Sequence, residues 1–269
     1  MQHDFDAAIQ LASIGEHRFS GATSPAYANM VGPFGGISCA ILLNAALLHS
    51  QRQGEPIALT VNFASPLADG AFEIEARPVR TNRSTQHWVM HLTQQGVAAV
   101  TATAVFAQRR DTWSARELMA PQDMPSAATL ARAPVAGFPT WVQRYDMRFA
   151  EGELPRSFDG KEQPHSNSRL GIRDEPPRAL DFVSLAAICD SFFPRIYIRR
   201  RVRTPIGTVS VTSFFHADSA MLAEQSDRHV LGNARALNYR NGYFDQSAEI
   251  WGDKDQLLAS THQIVYYRE

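Results

Sequence analysis

The chain has 269 residues, 44% of them hydrophobic and 20% charged, a composition that supplies one large or two modest cores and excludes disordered and membrane-embedded classes. With 26 Lys and Arg against 27 Asp and Glu the net charge is -1, so no overall field draws the chain to nucleic acid or to an anionic membrane, and an anionic ligand must be held by a local cluster.

Met1 to Asp6 hold acidic residues and no basic segment ahead of an apolar run, which does not read as a secretory signal, so a cytoplasmic location is expected. From the entry Val31-Gly32-Pro33-Phe34-Gly35-Gly36, the residues Ile37, Ala40, Ile41, Leu43, Ala45, Leu47 and Leu48 form a helical run apolar on nearly every side. Such a helix has to be surrounded by protein, and it is too short to cross a bilayer of about 30 Å. Strand signals follow: Leu59, Val61 and Phe63, then Phe72 and Ile74, then Trp88, Met90 and Leu92, each alternating with polar residues, and finally Thr101 to Phe106. Asp111 to Phe138 lacks alternation and reads as a connection between domains.

In the second half, Trp141 to Phe149 reads as a strand. Glu151 to Pro177 reads as a polar insertion with one short strand at Ser168 to Arg173. A second apolar helix, Leu180 to Cys189, is stopped by Pro194, and strands are expected at Gly207 to His216, Val230 to Tyr239, Ser247 to Trp251 and Gln256 to Tyr267. The halves repeat one order, and Gly96 to Phe106 aligns with Asp255 to Val265, which sets Ala104 beside Gln263. One apolar helix followed by antiparallel strands, occurring twice, gives an α+β class of two tandem hotdog folds, a double hotdog in which each long helix is wrapped by a curved sheet. The expected division is 1–115 for the first copy, 116–138 for the linker and 139–269 for the second. Cys39 and Cys189, both in apolar runs, read as small buried hydrophobes.

At Pro33-Phe34-Gly35-Gly36, Val61-Asn62-Phe63-Ala64-Ser65-Pro66 and Cys189-Asp190-Ser191-Phe192-Phe193-Pro194, the chain resembles the acyl-CoA thioesterase II group and its bacterial thioesterase-like relatives, over nearly its whole length. That resemblance implies hydrolysis of an acyl-CoA to free acid and CoA, with no cofactor. It also implies a homo-oligomer, dimer or higher. Members of the group carry an Asp in the second helix, a Thr or Ser on the next strand before a Phe-His pair, and a Gln on the last strand; Asp190, Thr208 ahead of Phe215-His216, and Gln263 occupy those places. Ser210 and Thr212 lie on the same face as Thr208 if the strand alternates regularly, which leaves the identity of the strand hydroxyl open.

Thioester hydrolysis needs a positioned water, a group that takes its proton and donors for the oxyanion. Asp190 suits the base, Thr208 and Gln263 suit the holding of water and carboxylate, and backbone N–H groups at Gly35 and Gly36 suit the oxyanion. Arg199, Arg200 and Arg201, the densest charge run, are candidates for the CoA phosphates. His87 and His91 share a strand face, but no further ligand follows at useful spacing, so no metal site is expected. Two alternatives compete: a non-catalytic acyl-CoA binding module, and a double-hotdog enoyl-CoA hydratase, which needs a His five positions after its Asp, where this chain has Arg195.

Overall fold

Pro33 and the two following glycines lead into a helix with ten of its fourteen residues buried, Gly35–Leu48, and the rest of the molecule is arranged around it. The structure is a computed structural model that describes residues 2–269. In the first half, α1 (Asp4–Ala8), β1 (Ala12–Ser13) and β2 (Arg18–Ala22) precede α2 (Gly35–Leu48), which is followed by β3 (Glu55–Phe63), β4 (Ala71–Thr81), β5 (Thr85–Gln94) and β6 (Val97–Ala107). The second half has β7 (Tyr145–Glu151), β8 (Ser168–Asp174), α3 (Phe182–Ile188), α4 (Arg195–Arg200), β9 (Ile206–Phe215), α5 (Ser219–Gln225), β10 (Val230–Arg235), β11 (Tyr239–Arg240), β12 (Tyr243–Trp251) and β13 (Leu257–Tyr267).

All strands join one antiparallel sheet in the order β1-β2-β4-β5-β6-β3-β9-β13-β12-β10-β8-β7, with β11 pairing β12. The halves meet where β3 pairs β9, from Ala58 opposite Phe214 to Asn62 opposite Ser210, and the Thr60 and Thr212 hydroxyls lie 2.9 Å apart across this seam. The central pairing removes two strand edges that would otherwise be open. One helix from each half, α2 and α3, pack on each other, and α2 also lies on β4 and β5. The architecture is the expected α+β double hotdog.

Its second helix departs from the expectation of a long one. α3 starts on a capping box, with Asp181 accepting from the Ser184 N–H at 2.8 Å, but it stops at Ile188 rather than running to Pro194. Ser191 Oγ donates to the Ile188 carbonyl at 2.7 Å, a local bond that competes with helix continuation. Pro194 keeps Phe193 out of helical backbone, and the chain turns before resuming as α4. The expected strand at Trp141 begins only at Tyr145, because Thr140–Arg144 forms a tight turn that stacks Trp141 on Phe34, ring centroids 4.2 Å apart. Val230 to Tyr239 is split into β10 and β11.

Between β6 and β7 there is no strand, in keeping with the reading of a connection. It is nonetheless fastened to the second half: Arg116 donates to the Lys254 and Asp255 carbonyls, Arg148 to those of Ala127 and Leu130, and the Ala133 N–H to the Met147 carbonyl. Among the described residues, no helix is long and apolar enough to cross a membrane.

Candidate active site

Asp190 stands in the turn that ends α3, its N–H donating to the Ala187 carbonyl at 3.1 Å. The helix therefore breaks where its carboxylate is delivered, and the carboxylate meets the first turn of α2 from the other half. The residue is half-buried overall, its carboxyl end being the enclosed part. Gln263 on β13, 2% exposed, donates from Nε2 to Asp190 Oδ1 at 2.8 Å. Burial pushes the Asp190 carboxyl up to about 7, against the pull of the Gln263 amide and of the Gly36 backbone N–H, both of which favour the ionised form.

Glycines make this approach possible. A Cβ on Gly35 would lie 2.5 Å from Asp190 Oδ2, and one on Gly36 would lie 2.5 Å from the Ala187 carbonyl and 2.4 Å from the Phe34 ring. Gly35 therefore makes room for the carboxylate, while Gly36 lets α2 close on α3. The Gly36 N–H faces the Asp190 carboxylate, where an uncapped helix N-terminus favours negative charge.

The strand hydroxyl is decided by a bulge. Against β13, Ser210 pairs Ile264 but Thr208 pairs Val265, which leaves Val209 as the extra residue. The bulge breaks regular alternation, so Thr208 lies on the face shared with buried Val211, Val265 and Gln263. Ser210 and Thr212 face the other way, Ser210 donating to Asn62 Oδ1 at 2.8 Å and Thr212 meeting Thr60. The expectation that all three hydroxyls share a face is thereby corrected. Thr208 sits diagonally across from Gln263, and among the described residues its hydroxyl has no hydrogen-bond partner. The structure thus brings Asp190, Gln263, Gly35 and Gly36 into contact and puts Thr208 on the same face.

The Arg199 to Arg201 run lies on α4 and just beyond it, where the insertion between β7 and β8 folds back on it. Arg199 is 2.7 Å from Glu162, Arg201 is 3.6 Å from Asp159, and Arg200 pairs Glu269. Each of the three has an acidic partner within the chain. Arg195, five positions after Asp190, is buried and donates to the Phe193 and Ser166 carbonyls, Ser168 Oγ and Gln246 Oε1. It therefore ties the insertion to the core instead of serving as an acid-base partner. Cys39 and Cys189 are free and buried, and burial pushes the Cys189 thiol up to about 12.

One group beside the site escaped the sequence reading. Tyr145, fully buried and within electrostatic reach of Asp190, stands opposite Asp174 on β8 with Tyr27 nearby. Neither tyrosine hydroxyl nor Asp174 Oδ1 has a hydrogen-bond partner among the described residues, and burial pushes Asp174 up to about 7. A Tyr at a strand start has no sequence signal that separates such an unpaired buried hydroxyl from ordinary core packing.

Comparison with known proteins matches residues 24–107 to the acyl-CoA thioesterase N-terminal domain and residues 120–267 to the acyl-CoA thioesterase C-terminal domain. Among curated proteins no sequence matches. The chain is similar to a hot dog fold protein of unknown function from Alicyclobacillus acidocaldarius, at 43% identity and a TM-score of 0.95 over 100% of this chain and 99% of that one. It is also similar in fold to an acyl-CoA thioesterase II from Mycobacterium marinum, at 16% identity and a TM-score of 0.78 over 98% of each chain. A dehydratase domain from Pseudomonas fluorescens, 11% identical, reaches a TM-score of 0.55 over 94% of each chain, so the fold by itself does not select the reaction.

Proposed function

The chain belongs to the acyl-CoA thioesterase family, and on that premise we propose that it hydrolyses an acyl-CoA to free acid and CoA with Asp190 as the base. The observation that carries this reading is the enclosed Asp190 carboxylate, held at Oδ1 by Gln263 and raised to about 7. A carboxyl near neutrality is a far stronger base than an ordinary one, yet is still ionised at working pH. Asp190 takes a proton from water as the water oxygen bonds to the thioester carbonyl carbon. The oxyanion then collapses, the C–S bond breaks, and the leaving CoA thiolate takes up the proton that Asp190 held, which restores the carboxylate. Gln263 orients the carboxylate, and Thr208, on the same face with its hydroxyl uncommitted, holds the water.

The expected oxyanion donors are the backbone N–H groups of the first turn of α2; since the Gly36 N–H is directed at Asp190, that role falls to the Gly35 N–H and its neighbours in the turn. No enzyme nucleophile is needed, and the buried thiols, with Cys189 pushed up to about 12, are poorly suited to be one. The engagement of Arg195 weighs against hydratase chemistry. In this reading the protein acts in the cytoplasm as a homo-oligomer.

The test is release of free CoA from a panel of acyl-CoAs, followed with a thiol reagent, for wild type and Asp190→Asn. We expect hydrolysis by wild type and a loss in kcat of about 10²-fold or more in the variant, with circular dichroism unchanged. A folded Asp190→Asn protein with wild-type kcat would move the chemistry elsewhere. Absence of hydrolysis across the panel would favour a binding module.

A further inference from the structure

The C-terminal end of α4, the loop to β9 and the end of β13 enclose a surface cavity of about 410 Å³. Its walls include Ile196, Arg200, Arg203, Thr204, Arg268 and Glu269. The only carboxylate side chain among its lining residues, Glu269, is taken by Arg200. Arg203 and Arg268 have no acidic partner among the described residues, which sets them apart from Arg199, Arg200 and Arg201. Arg203 lies over the Phe158 ring, 4.8 Å from its centroid, a contact that holds the guanidinium plane without using its N–H donors. Arg268 is anchored through its backbone, its N–H donating to the Pro205 carbonyl at 3.0 Å and its carbonyl accepting from the Thr204 hydroxyl. The cavity is therefore lined by two arginines without an acidic partner, one with its guanidinium laid on Phe158 and one with its backbone held at the cavity wall.

The cavity also lies at a definite place relative to the proposed catalytic residues. Thr208 is five residues after Arg203, and Gln263 is five residues before Arg268. Thr208 and Gln263 lie on paired antiparallel strands, with Val265 opposite Thr208, so both lead from the catalytic face to the cavity. From Gln263 the extended chain of β13 reaches Arg268 in five residues, about 16 Å, a length of the order of the pantetheine arm that separates the thioester of an acyl-CoA from its phosphates. A second surface cavity, of about 370 Å³, has Glu151, Glu153 and Arg201 among its lining residues; Arg201 is its only arginine and is already paired with Asp159, so it offers no uncompensated guanidinium.

We propose that the cavity between α4 and β13 holds the phosphate-bearing nucleotide end of coenzyme A, with Arg203 and Arg268 as the phosphate ligands. This assignment rests on the thioesterase reading and relocates the phosphate contact from the Arg199 to Arg201 run, whose guanidinium groups are already paired. Bidentate guanidinium contacts recognise phosphate by geometry as well as charge, and the proximity of two of them favours an anion of more than one charge.

The experiment compares one acyl group carried on CoA and on pantetheine, for wild type, Arg203→Gln, Arg268→Gln and Arg199→Gln. Either of the first two changes should raise KM for the acyl-CoA about tenfold or more, the usual size of a lost charge-assisted contact, while leaving kcat and the acyl-pantetheine constants unchanged. Arg199→Gln should have little effect on either substrate. Calorimetric binding of adenosine 3′,5′-diphosphate gives a readout independent of catalysis: wild type should bind, inorganic phosphate should bind more weakly, and Arg203→Gln with Arg268→Gln should abolish binding. An unchanged KM for acyl-CoA, equal changes with both substrates, or nucleotide binding insensitive to both arginines would overturn the proposal. Hydrolysis that fails on both carriers while the nucleotide still binds would reject the thioesterase reading and leave the anion site standing.

Discussion

At the scale of single residues, the site is controlled by what touches one carboxylate. If Asp190 is the base, kcat should rise with pH as a single ionisation with a midpoint near 7, measurable as a pH–rate profile. Gln263 favours the ionised form through its 2.8 Å hydrogen bond, so Gln263→Ala should lower kcat by less than Asp190→Asn and move that midpoint upward; an unmoved midpoint would detach Gln263 from the carboxylate. The two glycines should separate in kind. Gly35→Ala meets the end of the Asp190 side chain, which can swing aside, so folding should survive while kcat falls; Gly36→Ala meets the Ala187 carbonyl, which cannot, so it should chiefly lower Tm. Asp174 gives a test of burial as the dominant cause, because its carboxyl is raised from the ordinary 3.8 to about 7 against the pull of Arg178. Between these values the unfolded chain releases a proton that the folded chain keeps. Stability is therefore lost as pH rises through that window and stays lost above it. Asp174→Asn should leave Tm almost unchanged at pH about 4 and raise it at pH about 8; the opposite order would show that the carboxylate is stabilised by its surroundings.

At the scale of elements, two irregularities place the proposed catalytic residues. The break between α3 and α4 turns Asp190 toward α2, and the bulge at Val209 turns Thr208 inward. Thr208→Val should therefore reduce kcat, whereas Ser210→Ala, on the opposite face and bonded to Asn62, should leave steady-state hydrolysis within about twofold of wild type, as surface changes away from a site generally do. A loss with Ser210→Ala and none with Thr208→Val would put Ser210, not Thr208, on the face of Gln263. The insertion between β7 and β8 also gains a role from its contacts, since its Asp159 and Glu162 neutralise Arg201 and Arg199 while Phe158 carries Arg203.

At the scale of the whole molecule, the two halves match in backbone but not in chemistry. β3 carries an extra residue, Ile57, against β6 just as β9 carries Val209 against β13. Counting from these bulges places Pro56 where Thr208 stands and Ala104, opposite Leu59, where Gln263 stands opposite Val211. Because α2 also contains no Asp, a tight non-hydrolysable acyl-CoA analogue should titrate to one productive site per chain, and two equal sites would contradict this. The sequence by itself determined the repeat, the apolar helices and most of the strands, because alternation and helical periodicity are local properties. Through its resemblance to a family it pointed to Asp190 and Gln263 as candidates, which the fold brings within hydrogen-bond distance. It did not reveal β1 and β2, since β1 has no buried residue and β2 has only one. It also ran the second helix too far, because the Ser191 hydroxyl bond that helps end it depends on where that side chain points. Only the tertiary structure decided which strand hydroxyl shares a face with Gln263, because a bulge is a matter of two-strand register. The same holds for which arginines remain free to hold a phosphate, since charge compensation depends on where a distant polar loop folds back.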